Sequence, residues 1–164
     1  MTQLATAFPI AASGRNRRPG VWRVDLGLQD KVAIVTGGGE GIGKAAALGM
    51  AREGAKVLIV ARRPDVLEQA AQDIRTATEG VVLPVPGDVT ERDTASRVVG
   101  TALEQYGRVD ILVNNAGKSL QMPFETLSDA DWQGDFDLKL WGAIRFIRAV
   151  IPEMRKVEAG RIIN

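Results

Sequence analysis

Short apolar runs alternating with helix-length amphipathic segments fill residues 26–164, and this alternation leaves the chain few folds to choose from. Val32 to Val35 (VAIV) runs into glycines and then into a helical apolar stripe over Ile42 to Arg52, closed by Gly54. Val57 to Val60 (VLIV) repeats the strand. Pro64 to Thr78 predicts a helix with proline near its start and Gly80 past its end. Val81 to Val85 reads as a third strand. Thr90 and Asp93 read as a T-x-x-D capping box for a helix that runs to about Tyr106, where Gly107 stops it. Val109 to Val113 is the fourth strand. Ser128 and Asp131 predict a second capping box, ahead of a long helix in which Trp132, Phe136, Leu140, Ile144, Ile147 and Ile151 recur at helical spacing. Pro152 is expected to kink or end that helix. Ile162 and Ile163 open a fifth strand.

Strands that are apolar without alternation must be buried on both faces, and strands joined by helices pair in parallel through right-handed crossovers. The chain is therefore expected to form an α/β fold, a doubly wound parallel sheet covered by helices on both sides. Ligands in such sheets bind beyond the carboxyl ends of the strands, which directs the search for function to the turns that follow them.

Composition narrows the chemistry. The 164 residues contain no Cys and no His, so disulfides, thiol nucleophiles, the usual zinc sites and any Ser-His-Asp arrangement are excluded. No stretch approaches the ~18 apolar residues of a membrane span and no signal-peptide core is seen, which points to a cytoplasmic protein with no membrane partner. Net charge is +1, but residues 1–24 carry four arginines and no acid, leaving 17 basic against 20 acidic residues in the remainder. No broad basic face follows, and nucleic acid is not expected as a partner. Residues 1–24 have no helical or strand period and are broken by Pro9, Gly14, Pro19 and Gly20. They read as a disordered tail or as sequence upstream of a true start near Val24, with an Arg-rich transit peptide as the lesser alternative. The single domain is expected over residues 25–164.

The turn after the first strand is TGGGEGIGK, Thr36 to Lys44. Backbone N–H groups of a glycine loop leading into a helix N-terminus attract phosphate, and the missing Cβ atoms allow close approach. Gly38 to Lys44 nearly matches the nucleoside-triphosphate loop, but Ala45 stands where a Mg²⁺-binding hydroxyl is needed. The dinucleotide spacing G-x-G-x-x-G also fails, because Ile42 occupies its third glycine position after Gly37 and Gly39. T-G-x-x-x-G-x-G fits, through Thr36, Gly37, Gly41 and Gly43.

With GDVT at 87–90 and NNAG at 114–117, each after its own strand, this loop resembles the classical short-chain dehydrogenase/reductase family over about residues 25–164. The resemblance implies a Rossmann-type sheet of strand order 3-2-1-4-5, broken off after the start of strand 5. It implies a pyrophosphate wrapped by Gly37, Gly39, Glu40, Gly41, Ile42 and Gly43, an adenine against Asp88 and Val89, and an adenosine ribose side lined by Asn115, Ala116 and Gly117. Asn114 is expected to brace the sheet. Asp88 taken alone has a lesser alternative as a cap or turn residue. No metal site is implied.

In the family, a catalytic Ser follows the GRIIN strand and a Tyr-x-x-x-Lys pair lies on the next helix. Neither occurs here: the one tyrosine is Tyr106, and Asp110 stands four residues on. A folded domain rarely ends part-way through a strand, so the sequence reads as the first half of an enzyme, itself expected to be inactive and to fold poorly. Lys139, in DLKLWG, stands at the position of the family's tetrad Asn. It either keeps the relay through its backbone carbonyl or weakens it, and the plainer reading is a solvated helix-face lysine.

Strand two ends Val60-Ala61-Arg62-Arg63, with no carboxylate to accept from a ribose 2′-OH and two cations for a 2′-phosphate. NADP(H) is therefore expected over NAD(H), with Arg62 as principal contact and Arg63 as secondary. The implied activity is alcohol–ketone or alcohol–aldehyde oxidoreduction on a small molecule. The rival is a non-catalytic NADP-binding sensor or interaction module. Trp132, Phe136, Trp141, Phe146 and Ile151 spread around more than one face of the long helix, which predicts a homodimer or homotetramer for the complete protein.

Overall fold

The computed structural model describes residues 24–119, 121–157 and 159–164. The tail expected over residues 1–24 lies, except for Val24, outside the described residues. Strands β1 (Val32–Thr36), β2 (Lys56–Ala61), β3 (Val82–Pro86), β4 (Ile111–Val113) and β5 (Arg161–Ile163) alternate with helices α1 (Gly41–Arg52), α2 (Pro64–Thr78), α3 (Thr94–Tyr106), α4 (Asp129–Phe136) and α5 (Gly142–Val157). All strand pairs are parallel, in the order β3-β2-β1-β4-β5. This is the expected Rossmann-type sheet.

Alternate residues of each strand serve opposite faces. Ile34, Leu58, Val60 and Leu112 pack with Val98 and Ala102 of α3 and with Phe146 and Val150 of α5. Val35, Val57, Ile59 and Ile111 pack with Ala47 and Ala51 of α1 and with Leu67, Ala70 and Ile74 of α2. The central strands are thus covered on both sides, which is why they show no polar alternation. Each fully buried Ile or Leu contributes roughly 1.5–3 kcal/mol.

At the amino end of the sheet, opposite the ligand-binding side, Asp110 is 1% exposed. Its Oδ2 accepts from the Val32 N–H at 2.9 Å and from Arg108 Nε at 2.8 Å, its Oδ1 accepts from Arg108 Nη2 at 2.5 Å, and Lys31 Nζ stands 3.5 Å away. Burial pushes this carboxyl up. The Arg108 bonds, the Val32 N–H and the charges of Arg108 and Lys31 outweigh it and hold the group below its ordinary value.

Local readings needed three corrections. The Thr90–Asp93 capping box does not form: α3 starts at Thr94, and Asp93 sits at its N-cap without a side-chain cap bond. Asp88 is a nearer acceptor, and its Oδ1 takes both the Thr90 N–H (2.9 Å) and the Thr90 hydroxyl (2.8 Å) in a local turn. The Ser128–Asp131 box does form at α4, with both reciprocal bonds present.

The second correction is that the long helix is not one uniform helix. A single π turn, Asp137–Trp141, separates α4 from α5, with the Gly142 N–H donating to Asp137 O. One extra residue in a helix rotates everything after it by about 100°. The core-facing line therefore becomes Gly142, Phe146, Val150 and Met154. Trp132, Phe136, Leu140 and Trp141 remain exposed, and Ile144, Ile147 and Ile151 sit on the half-buried margin. The third correction concerns one of the two outcomes expected at Pro152, a kink or an end: the helix does not end there, since α5 runs on to Val157. Burial of Val150 and Met154 on either side offsets the cost of an interior proline, about 3 kcal/mol.

Candidate functional site

The carboxyl ends of β1, β2, β3 and β4 open into one cleft of about 660 Å³. Its first wall is the loop from β1 to α1. Gly37 (φ +67°) and Gly41 (φ +56°) adopt the left-handed conformation that favours glycine, and a Cβ on Gly37 would come within 2.8 Å of Asn115 Nδ2. Gly37, Gly39, Glu40, Gly41 and Ile42 all line the cleft. Ile42 is 82% exposed there, at the start of α1.

Gly43, expected among the phosphate-wrapping residues, is not in the lining. It is buried in the first turn of α1, where a Cβ would run into the Gly37 carbonyl oxygen and Asn115 Nδ2. Its missing side chain lets the helix close down on the loop, so it shapes the loop from behind.

Asn115, Ala116 and Gly117 form the wall after β4 and line the cleft as expected. The Asn115 side chain, however, turns back to the sheet, where Nδ2 donates to Thr36 O at 3.0 Å and Gly37 O at 3.3 Å. Asn114 braces the sheet on the other side, its Nδ2 donating to Asn164 Oδ1 at 2.9 Å. The joint between β1 and β4 is completed by Thr36, 2% exposed. Its Oγ1 accepts the N–H groups of Asn115 and Ala116, both at 3.0 Å, and donates to Val113 O at 3.3 Å. Thr36 was legible as the one polar residue closing an apolar strand.

Asp88 and Val89 line the cleft after β3, and Asp88 is at once a cleft residue and the acceptor of the local turn. Sequence reasoning missed what seats this turn. Arg145 Nη1 of α5 donates to Thr90 O at 3.1 Å, and a Cβ on Gly142 would lie 3.1 Å from Val89 Cγ2. No local pattern signals an arginine 55 residues away in sequence.

Arg62 and Arg63 line the cleft beyond β2. Arg62 Nη1 is 3.9 Å from Asp88 Oδ2, and Arg63 Nη2 donates to Glu40 Oε2. Lys139 lies in the π turn, lines the cleft, and pairs through Nζ with Asp135 Oδ1 at 2.8 Å. It also borders a cavity of about 20 Å³ shared with Thr36, Asn114 and Phe146, room for one water molecule.

The arrangement offers a backbone cradle at a helix N-terminus, a slot flanked by the β3 and β4 turns, and two cations at its far side. A phosphorylated, adenosine-bearing dinucleotide fits this order of groups. The shape of the cradle depends on its glycines, because a Cβ on Gly37 would meet Asn115 Nδ2 and one on Gly43 would meet the Gly37 carbonyl oxygen.

Comparisons with known proteins agree with this geometry. The family described as short chain dehydrogenase matches residues 31–164. An uncharacterized oxidoreductase of Listeria monocytogenes is 38% identical over 136 residues, 83% of this chain and 54% of the relative. One from Mycobacterium bovis is 37% identical over 158 residues, 94% of this chain and 44% of the relative. Among solved structures, L-sorbose reductase from Gluconobacter frateurii, complexed with NADPH and L-sorbose, superposes with a TM-score of 0.81 at 37% identity. That match covers 85% of this chain and 53% of the reductase. A metagenomic short-chain oxidoreductase in complex with NADP gives 0.77 at 33% identity, covering 84% and 62%. The chain spans about half the length of the curated relatives it matches.

Proposed function

The chain belongs to the short-chain dehydrogenase family, and on that premise we propose that it forms the cofactor-binding part of an NADP(H)-dependent oxidoreductase interconverting an alcohol and a ketone or aldehyde. The observation that carries the cofactor choice is Arg62 with Arg63 in the cleft at the carboxyl end of β2, a strand that leads directly into two cations and not into a carboxylate. Two structural relatives described with NADPH or NADP support it.

When bound, the nicotinamide exchanges hydride with the substrate carbon. The residues present here bind and orient. The N–H groups of the Gly37–Gly43 loop and the start of α1 hold the pyrophosphate, Asp88 and Val89 take the adenine, and Asn115, Ala116 and Gly117 flank the ribose. Lys139, at the family's tetrad-Asn position, borders the water-sized cavity and supports proton relay through its backbone, while Asp135 holds its ammonium.

The test is Arg62→Asp with both cofactors. The preference for NADPH over NADH should fall about tenfold or more, the worth of one charge-assisted contact. An unchanged preference would remove Arg62 from the site.

The proposal extends to association. Phe124, Trp132 and Phe136 stack edge-on and tilted at 6.0 Å spacings, and with Leu140 and Trp141 they leave an apolar face on α4 and the π turn exposed. The complete protein should be a homodimer or homotetramer through this face. Light scattering at micromolar concentration checks it, and a monomer would sink it.

The second reading, a non-catalytic NADP-binding module on the same fold, draws its support from Lys139 in place of Asn.

A further inference from the structure

Arg145, half-buried on α5, gives its hydrogen bonds among the described residues to the backbone of one turn. Nη1 donates to Thr90 O at 3.1 Å and to Val89 O at 3.5 Å. Bonds from an ionised donor are stronger than neutral ones, so a single side chain can hold the turn in place. The turn is itself closed, with Asp88 Oδ1 accepting both the N–H and the hydroxyl of Thr90, and it therefore moves as one piece. One helical turn before Arg145, Gly142 meets the same turn: a Cβ there would lie 3.1 Å from Val89 Cγ2 and 3.3 Å from Val89 O. Gly142 also closes the π turn, its N–H donating to Asp137 O. Arg145 and Gly142 thus tie together two parts of the cleft lining, Asp88 and Val89 after β3 and Leu138 and Lys139 in the π turn. Val89, Leu138, Lys139 and Gly142 meet again around the water-sized cavity. A single π turn inside an α-helical segment is its adjustable part.

From these contacts we infer that Arg145 is a positioning residue, one that couples the adenosine end of the cleft to the π turn carrying Lys139. The inference rests on the cofactor reading above and goes beyond it. A base seated against Asp88 and Val89 restrains their turn. Arg145 and Gly142 pass that restraint to the helix at the point where the π turn closes, so Lys139 is fixed before the reacting half of a dinucleotide is engaged. Arg145 does not itself line the cleft, and it acts only through the turn. The coupling is reciprocal: order that the ligand imposes on the π turn is returned as affinity when the π turn is already ordered.

The experiment measures hydrogen exchange over residues 137–142 by mass spectrometry, with and without saturating adenosine 2′,5′-bisphosphate, and follows binding of the same probe by calorimetry. The probe carries no nicotinamide half that could touch Lys139 directly. In the wild-type chain the probe should slow exchange across the π turn about fivefold, the low end of the range for coupled sites. Arg145→Met should abolish that slowing and weaken probe binding by no more than the same factor. Arg145→Lys keeps a charged donor and should restore part of it. Gly142→Ala disturbs the Val89 contact without touching Arg145 and should also reduce the slowing, so the test stands even where Arg145→Met does not fold. A merely structural arginine would give a different result: its loss would speed exchange in the free protein and leave the probe-dependent slowing intact. Slowing that survives in both Arg145→Met and Gly142→Ala, or a bound probe with no slowing in the wild type, would overturn this inference and leave the cofactor reading standing. No binding in the wild type would remove both.

Discussion

Incubated with NADPH and a panel of small ketones, the 164-residue chain, expected to fold poorly as it stands, should bind the cofactor weakly in the fraction that folds. It should turn over at least about 10²–10⁴-fold more slowly than a relative that carries the full proton-transfer machinery, the range that general acid–base catalysis contributes. The chain contains one tyrosine, Tyr106, and no Tyr-x-x-x-Lys. Tyr106 cannot substitute. It closes α3, does not line the cleft, and burial pushes its phenol above the ordinary value, away from the neutral range a proton-exchanging group needs. The nearby Lys56 ammonium lies over the ring at 5.6 Å from its centroid, an arrangement for packing and not for deprotonation. Stopped-flow absorbance of NADPH oxidation, run beside a fluorescence titration of NADPH binding, separates the two properties. Extending the chain with a segment that supplies a Ser and a Tyr-x-x-x-Lys should bring turnover up without tightening cofactor binding. Turnover by the 164 residues alone would overturn the proposal, and failure of the extended protein would shift weight to the non-catalytic module.

Asp110→Ala should be strongly destabilising, costing about 3 kcal/mol in denaturant unfolding. It leaves the Val32 N–H without its acceptor inside the sheet and leaves Arg108 and Lys31 facing each other with no anion between them. The partial exposure of Arg108, 38% at the side chain, holds the cost to the low end of the range for breaking a buried pair. Asp110→Asn keeps the shape and an acceptor for Val32, and should cost about half as much. The sign with pH follows from the lowered carboxyl. A group held below its unfolded value of about 3.9 contributes stability that is fully present above that pH and is lost as the pH falls through the folded value. The stability gap between wild type and Asp110→Asn should therefore be constant above about pH 5 and narrow as the pH is lowered toward about pH 3. A gap that does not narrow would show that the carboxylate charge contributes nothing to the fold.

Much of the scaffold was legible because each strand and helix is specified by its own periodicity. VAIV and VLIV can only be strands buried on both faces, and a helix from Pro64 to Thr78 follows from its own start and stop residues, observed at those bounds. A parallel sheet then brings its strand ends together by topology, so TGGGEGIGK, GDVT and NNAG were bound to meet in one cleft wherever the helices lay in detail. What the local pattern could not convey were the outcomes of competition between distant groups. Thr90 had a second acceptor in Asp88 and took it. The π turn at Asp137–Trp141 moved the buried face of α5 to Phe146, Val150 and Met154, because a one-residue change in helical phase is invisible to a pattern read in steps of three and four. Gly43 behind the loop, Arg145 on the Val89–Thr90 turn, and Glu40 on Arg63 are all matters of which side chains tertiary packing brings within about 3 Å, the reach of a hydrogen bond. Elements and their meeting point were set by short-range sterics and hydrophobic period; the partners chosen at that meeting point were decided only when the folded chain placed groups far apart in sequence at contact distance.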